Sequence, residues 1–171
     1  MFNAEQAKSL LNIFLNNMEN EYKTTKRVIS AVPQDKCEYK PDPKSMTARE
    51  LAFHIAGADI FFIDSVLNGQ FDMSGEQPAV PPTITEILDW YETNYNDRVA
   101  KLKALAADKL AQPIKAFGVM EAPAVMYLNM MLMHMAHHRG QLSTYLRPMG
   151  SKVPSIYGGS ADEPFQMPAG A

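Results

Sequence analysis

A chain of 171 residues, 46% hydrophobic and 20% charged, is long enough for one domain with a sizeable core and too apolar to be disordered. Its formal net charge of -3, with no run of lysines or arginines, leaves no basic face for DNA or RNA. Pro123, Asn129 and His134 interrupt the greasiest segment, so nothing reaches the roughly 18 apolar residues of a membrane span.

The first predicted helix runs from about Asn3 to Ala31, with Leu10, Leu11, Phe14 and Met18 near one face. Val32-Pro33 ends it, because the residue before a proline disfavours helical geometry. Pro33, Pro41 and Pro43 mark residues 33–46 as a loop. A second helix starts at Thr47, where Thr47-Ala48-Arg49-Glu50 spells a capping box, and it stops at Asn68-Gly69. Thr83-Ile84-Thr85-Glu86 repeats that spelling and opens a third helix to about Ala107, striped by Leu88, Tyr91, Tyr95, Val99 and Leu102. Pro113 and Gly118 break the periodicity of residues 108–121, where 114–120 reads as a short extended crossing segment. The fourth helix is expected to start near Glu121-Ala122-Pro123, with proline in its first turn, and to run to Arg147. Four helices and no convincing strand run predict an all-α four-helix bundle over residues 1–150, followed by an irregular tail over 151–171.

Chemistry concentrates on the histidines. Positions four apart on a helix differ by about 40° in azimuth and about 6 Å in rise, so His134 and His138 can aim at a common ion. Spacing alone also allows a His134/His137 pair. The arc holding Tyr127, Met131, His134, His138, Gln141, Leu142 and Tyr145 is rich in large apolar groups and should face the interior, which favours His138 over His137. His54, beside Leu51, Ala58 and Phe61 on the second helix, is the remaining histidine and the candidate third ligand. Three imidazoles suit zinc, nickel, copper or ferrous iron and leave positions open for water or substrate. The competing reading is that these histidines are unrelated core or surface residues.

Ser45-Met46-Thr47-Ala48-Arg49-Glu50-Leu51-Ala52-Phe53-His54-Ile55-Ala56 resembles the second-helix motif of the DinB/YfiT-like family. His134-Met135-Ala136-His137-His138-Arg139-Gly140-Gln141-Leu142 resembles its fourth-helix motif, and order and spacing match over roughly residues 5–150. The resemblance implies an up-down-down-up bundle, one divalent metal on His54, His134 and His138, and a homodimer. Zinc or nickel is expected first, with iron or manganese also fitting. Some relatives are transferases or isomerases that use a low-molecular-weight thiol, and many have no assigned reaction.

These readings combine into an expectation. The chain is a metal-dependent thiol S-transferase or hydrolase acting on a small molecule, with no nucleic-acid or membrane partner. The alternative is a non-catalytic metal- or small-ligand-binding protein of the stress response. The N-terminal MFNAEQAKSLL has no basic segment followed by an apolar run, which fits a cytoplasmic protein. Cys37 is the only cysteine and reads as an ordinary loop residue. Glu50 is read first as the cap of the second helix and second as a partner for His54. Gln141 and Tyr145 either line the site or donate to substrate, unless they are satisfied core polar groups, and Tyr157 is a guess for its mouth. Asp59, about 140° round the helix from His54, is expected to face solvent. No other catalytic grouping and no glycine-rich phosphate loop is visible.

Overall fold

Each of the first three long helices starts where its sequence caps it. In the computed structural model of the chain, which describes residues 2–75 and 78–165, α1 (Ala4–Ser30) opens on Asn3. The Asn3 side chain accepts from the Gln6 amide, and the Gln6 side chain accepts from the Asn3 amide. Helices α2 (Ala48–Asn68) and α3 (Ile84–Ala104) open on the two predicted boxes, Thr47/Glu50 and Thr83/Glu86. A capping side chain occupies an amide the helix leaves without a partner and contributes about 0.5–2 kcal/mol. Gly69 ends α2 in the left-handed conformation, at φ 70°.

The segment after α3 departs from the reading of the sequence. Helix α3 stops at Ala104, Leu105 is extended, and a separate short helix α4 (Ala107–Ala111) follows. Two strands then form an antiparallel hairpin, β1 (Pro113–Ala116) and β2 (Met120–Pro123), pairing Pro113 with Pro123 and Ala116 with Met120. The extended crossing expected at 114–120 is therefore a hairpin with its turn at Phe117–Gly118. The start of the fourth long helix is corrected as well. Glu121, Ala122 and Pro123 belong to β2, and α5 (Met126–Leu146) begins three residues later. The physical reason is that Pro123 pushes Ala122 out of helical geometry. The amides of Ala124 and Val125 then turn back to the carbonyls of Gln112 and Leu110 rather than starting a helix.

The four long helices form a closed ring, α1 packing on α5 and α3, and α2 packing on α5 and α3. The fold is an all-α four-helix bundle with one small hairpin. Helix α2 is wedged between two neighbours, so Leu51, Ile55 and Ile63 are sealed while Phe53, Asp59, Phe62 and Ser65 are buried on other sides. Sealing one leucine or isoleucine contributes about 1.5–3 kcal/mol, so α2 is a main source of cohesion. Residues 151–165 lack helix or strand but lie on the bundle, with Ser151 Oγ donating to the Ala31 carbonyl and Arg27 pairing with Glu163. Among the described residues, no helix is long and apolar enough to cross a membrane.

Candidate metal centre

Helices α2 and α5 bring three histidines to one point. The ring of His54 lies 5.1 Å from that of His134 and 4.5 Å from that of His138, and the last two lie 4.4 Å apart. One nitrogen from each ring lies within 4.8 Å of the others. All three are half-buried, so the cluster sits at the edge of the core rather than in its middle. His137 is exposed, its ring 4.7 Å from that of His138, and it stands outside the group. Helix periodicity assigned both faces correctly.

Burial and mutual proximity hold His134 and His54 below the usual imidazole range. Burial pushes His134 down to about 4, helped by His138, His54 and His137. His54 is lowered by burial and then by His138. Three imidazoles, each with one nitrogen within 4.8 Å of the others, suit a cation. His134 Nδ1 is buried without a hydrogen-bond partner, an arrangement that costs about 1–3 kcal/mol unless something occupies it. The gathered ring nitrogens and the orphaned one fit a divalent ion.

Behind the cluster stands a residue whose role the sequence left open. Gln141 Oε1 lies 3.0 Å from His138 Nδ1, and Gln141 Nε2 donates to the Tyr145 hydroxyl at 3.5 Å. A proton on Nδ1 would donate to that amide oxygen and leave the Nε2 lone pair free. Tyr145 is itself held by the edge of Tyr39, ring to ring 5.9 Å. Glu50 accepts from the Thr47 amide at 2.8 Å and is committed to the cap. The spacing of three residues on one helix is the signal that could have paired Gln141 with His138.

Asp59 corrects a sequence expectation. It is fully buried rather than solvent-facing, because α2 is covered by α3 as well as α5. The Tyr91 hydroxyl donates to its Oδ2, while Oδ1 has no partner. Burial pushes the Asp59 carboxyl up to about 8, against the opposing pull of Tyr91 and Arg139. Arg139, adjacent to His138 in sequence, is buried too and pairs with Glu21 at 2.6 Å. It also donates to Thr25 Oγ1 and to the Tyr157 hydroxyl. Tyr157 thus bonds Arg139 and Glu21, and not the histidines. Cys37 is buried in its loop, where the Gln34 amide donates to its sulfur. Among the described residues no carboxylate or thiolate joins the three-histidine group.

Comparison with known proteins agrees with this architecture. YrdA of Bacillus subtilis, an uncharacterized protein, is 28% identical over 153 residues, covering 90% of this chain and 91% of YrdA. YjoA of the same organism is 28% identical over 148 residues, covering 85% of this chain and 92% of YjoA. The crystal structure of YjoA superimposes with a TM-score of 0.70 at 24% identity, over 84% of this chain and 96% of that one. A DinB-like protein from Bacillus cereus superimposes with a TM-score of 0.71 at 24% identity, over 84% and 95%. Residues 1–166 match the DinB family profile, and the chain belongs to the DinB family.

Proposed function

We propose that the protein is a metal-dependent transferase that joins a low-molecular-weight thiol to a small electrophilic substrate, with His54, His134 and His138 holding one divalent ion. The observation that carries this reading is the convergence of three imidazole nitrogens within 4.8 Å, one of the rings having an orphaned buried nitrogen. A divalent ion on three imidazoles supplies Lewis acidity and lowers the pKa of a bound thiol or water towards neutrality. Zinc or nickel matches an all-imidazole set best.

The surroundings favour a thiol over water as nucleophile. A hydrolase benefits from a carboxylate or free imidazole placed to take a proton from water. Among the described residues no carboxylate joins the group, Asp59 is committed to Tyr91 inside the core, and the one further imidazole, His137, is exposed outside the group with its ring 4.7 Å from that of His138. A thiol ionises far more readily and needs no such base. In the proposed reaction the thiol sulfur forms a bond to the electrophilic carbon, the leaving group departs with its electron pair, and the thiol proton passes to solvent. Gln141 holds the His138 ring so that Nε2 presents its lone pair, and the half-buried setting limits water at the rings. The cytoplasm keeps such thiols reduced and is the compartment this chemistry requires. We assign the working form as a homodimer, which sedimentation of the untagged chain checks.

Elemental analysis of untagged protein beside His138→Ala tests the site. One ion per chain in the wild type and almost none in the variant is the expected result. Turnover of a reactive aryl halide with glutathione or bacillithiol, lost in the folded variant, then tests the reaction. Bound metal without turnover would leave a metal-binding module. No metal after reconstitution with zinc or nickel would overturn the reading.

A further inference from the structure

The three histidines are continuous, through Phe62, with a strip of aromatic rings. Phe62 lies 5.8 Å from the His134 ring and 5.9 Å from Phe71, and Phe71 lies 5.1 Å from Phe117. Phe61 stands 5.7 Å from Phe71 on the same edge. Phe61 follows His54 by seven residues, and Tyr127 precedes His134 by seven. That spacing is two helical turns, so each lies on its histidine's face about 10 Å along the helix. The strip therefore runs from the histidines along the seam of α2 and α5 towards the hairpin.

Exposure divides these rings into a backing and a surface. Phe62 and Tyr127 are buried, whereas Phe61 and Phe71 are half-buried and Phe117 is 47% exposed. Phe117 also sits at φ 54°, the one non-glycine with positive φ among the described residues. A hairpin turn with that backbone prefers Asn, Asp or Gly, so a bulky ring there is held at a cost that its own burial does not repay. The other end of the seam is polar, where His138 meets Gln141 and Tyr145.

We infer that the Phe61–Phe71–Phe117 strip binds the aromatic or similarly apolar arm of the substrate whose polar head engages the ion at His54, His134 and His138. This rests on the proposed metal site and adds the substrate class. The continuity of the rings with the histidines, and their solid backing, favour a small-molecule arm over a second copy of the chain.

Two hydroxamates with the same chelating head test it on the zinc-loaded full chain: acetohydroxamate, with a methyl arm, and 4-phenylbutanohydroxamate. The phenyl compound is expected to bind about tenfold tighter or more, as covering one ring face warrants. In Phe61→Ser the ratio should fall to about twofold, with zinc content and acetohydroxamate affinity kept. Phe117→Asn provides an opposed signature, because asparagine tolerates the left-handed backbone: its Tm should rise while the phenyl preference falls. Zinc bound with equal affinity for both hydroxamates overturns this inference and leaves the metal site standing. A preference that survives both substitutions also overturns it. A dimer that Phe117→Asn dissociates, with no phenyl preference in the wild type, assigns the strip to a second copy instead. Failure to bind zinc overturns both the site and the substrate class.

Discussion

His54 and Asp59 lie five residues apart on α2, and His138 and Arg139 are neighbours on α5, yet the clusters they build are opposites. The histidines are half-buried, with no carboxylate in their group and His134 Nδ1 without a partner. The second cluster is sealed in the bundle and supplies its own opposite charge, Arg139 against Glu21 at 2.6 Å, with Thr25 and Tyr157 on the same guanidinium. One cluster gathers donors with no opposite charge and the other holds an internal ion pair, although Asp59 Oδ1 and Arg139 Nε also stand without partners. The difference follows from helix geometry: five residues turn the side chain by about 140°, and one residue by about 100°. A helix with neighbours on two sides can thus present a ligand face and an ionic face.

The sharpest way to break the inner cluster is Arg139→Met. It leaves Glu21 without its charge and the Tyr157 hydroxyl without its main donor. Removing one partner of a buried pair costs about 3–5 kcal/mol, which denaturant titration would read directly. Metal stoichiometry of the folded fraction should be unchanged if the two clusters are independent. A loss of metal in step with stability would join them into one unit.

Asp59 offers the next largest effect, with a sign that can be worked out. Its folded pKa, pushed up to about 8, lies above the ordinary 3.8, so the folded chain holds this proton more tightly than the unfolded chain. The associated stability is present in full below about pH 4, is lost as pH rises, and is gone above about pH 8. Asp59→Asn cannot titrate. The stability difference between variant and wild type should therefore move in favour of the variant from pH 5 to pH 8. Unfolding measured in chelator, to keep metal out of the comparison, checks this; parallel pH curves would show that Asp59 ionises as it does in water.

Much of this contrast was legible in the sequence, and the missing part has one physical cause. His134 and His138 pair, and His137 stands apart, because the apolar arc of α5 marks which of the faces allowed by the helical period turns inward. The same arithmetic placed Asp59 in solvent. Periodicity gives an angle between two residues, while burial depends on how many sides of the helix are covered. Thr47 and Thr83 declared their helix starts through local hydrogen bonds, which need nothing from the rest of the chain. The hairpin at Pro113–Pro123 was obscured because strands of four residues are too short for a period-two pattern to stand out, and the proline read as a helix start. The Arg139–Glu21 pair joins residues 118 positions apart and leaves no local trace.

On the histidine side, Gln141→Leu keeps the size of the side chain and removes the acceptor at His138 Nδ1. Partners of this kind are typically worth about 10–100-fold in metal affinity. Zinc competition against a chelator of known strength should show a loss in that range, with Gln141→Glu restoring or exceeding the wild-type value because a carboxylate accepts the same proton. Equal affinity in Gln141→Leu would show that His138 is oriented by packing alone.

The smallest effect tests where the inner cluster ends. Tyr157 is 73% exposed, yet its hydroxyl accepts from Arg139 at 2.6 Å and donates to Glu21 at 3.0 Å. Its ring lies 5.0 Å from the guanidinium carbon. Tyr157→Phe keeps the ring over the cation and removes only the hydroxyl. Because Arg139 and Glu21 remain paired with each other, neither is left as a lone buried charge, and the loss should stay near about 1 kcal/mol. Arg27–Glu163 and Ser151–Ala31 continue to hold the tail, so proteolysis beyond Leu146 should accelerate only modestly. A loss as large as that of Arg139→Met would mean that the exposed tyrosine, and not the buried ion pair, closes the inner cluster.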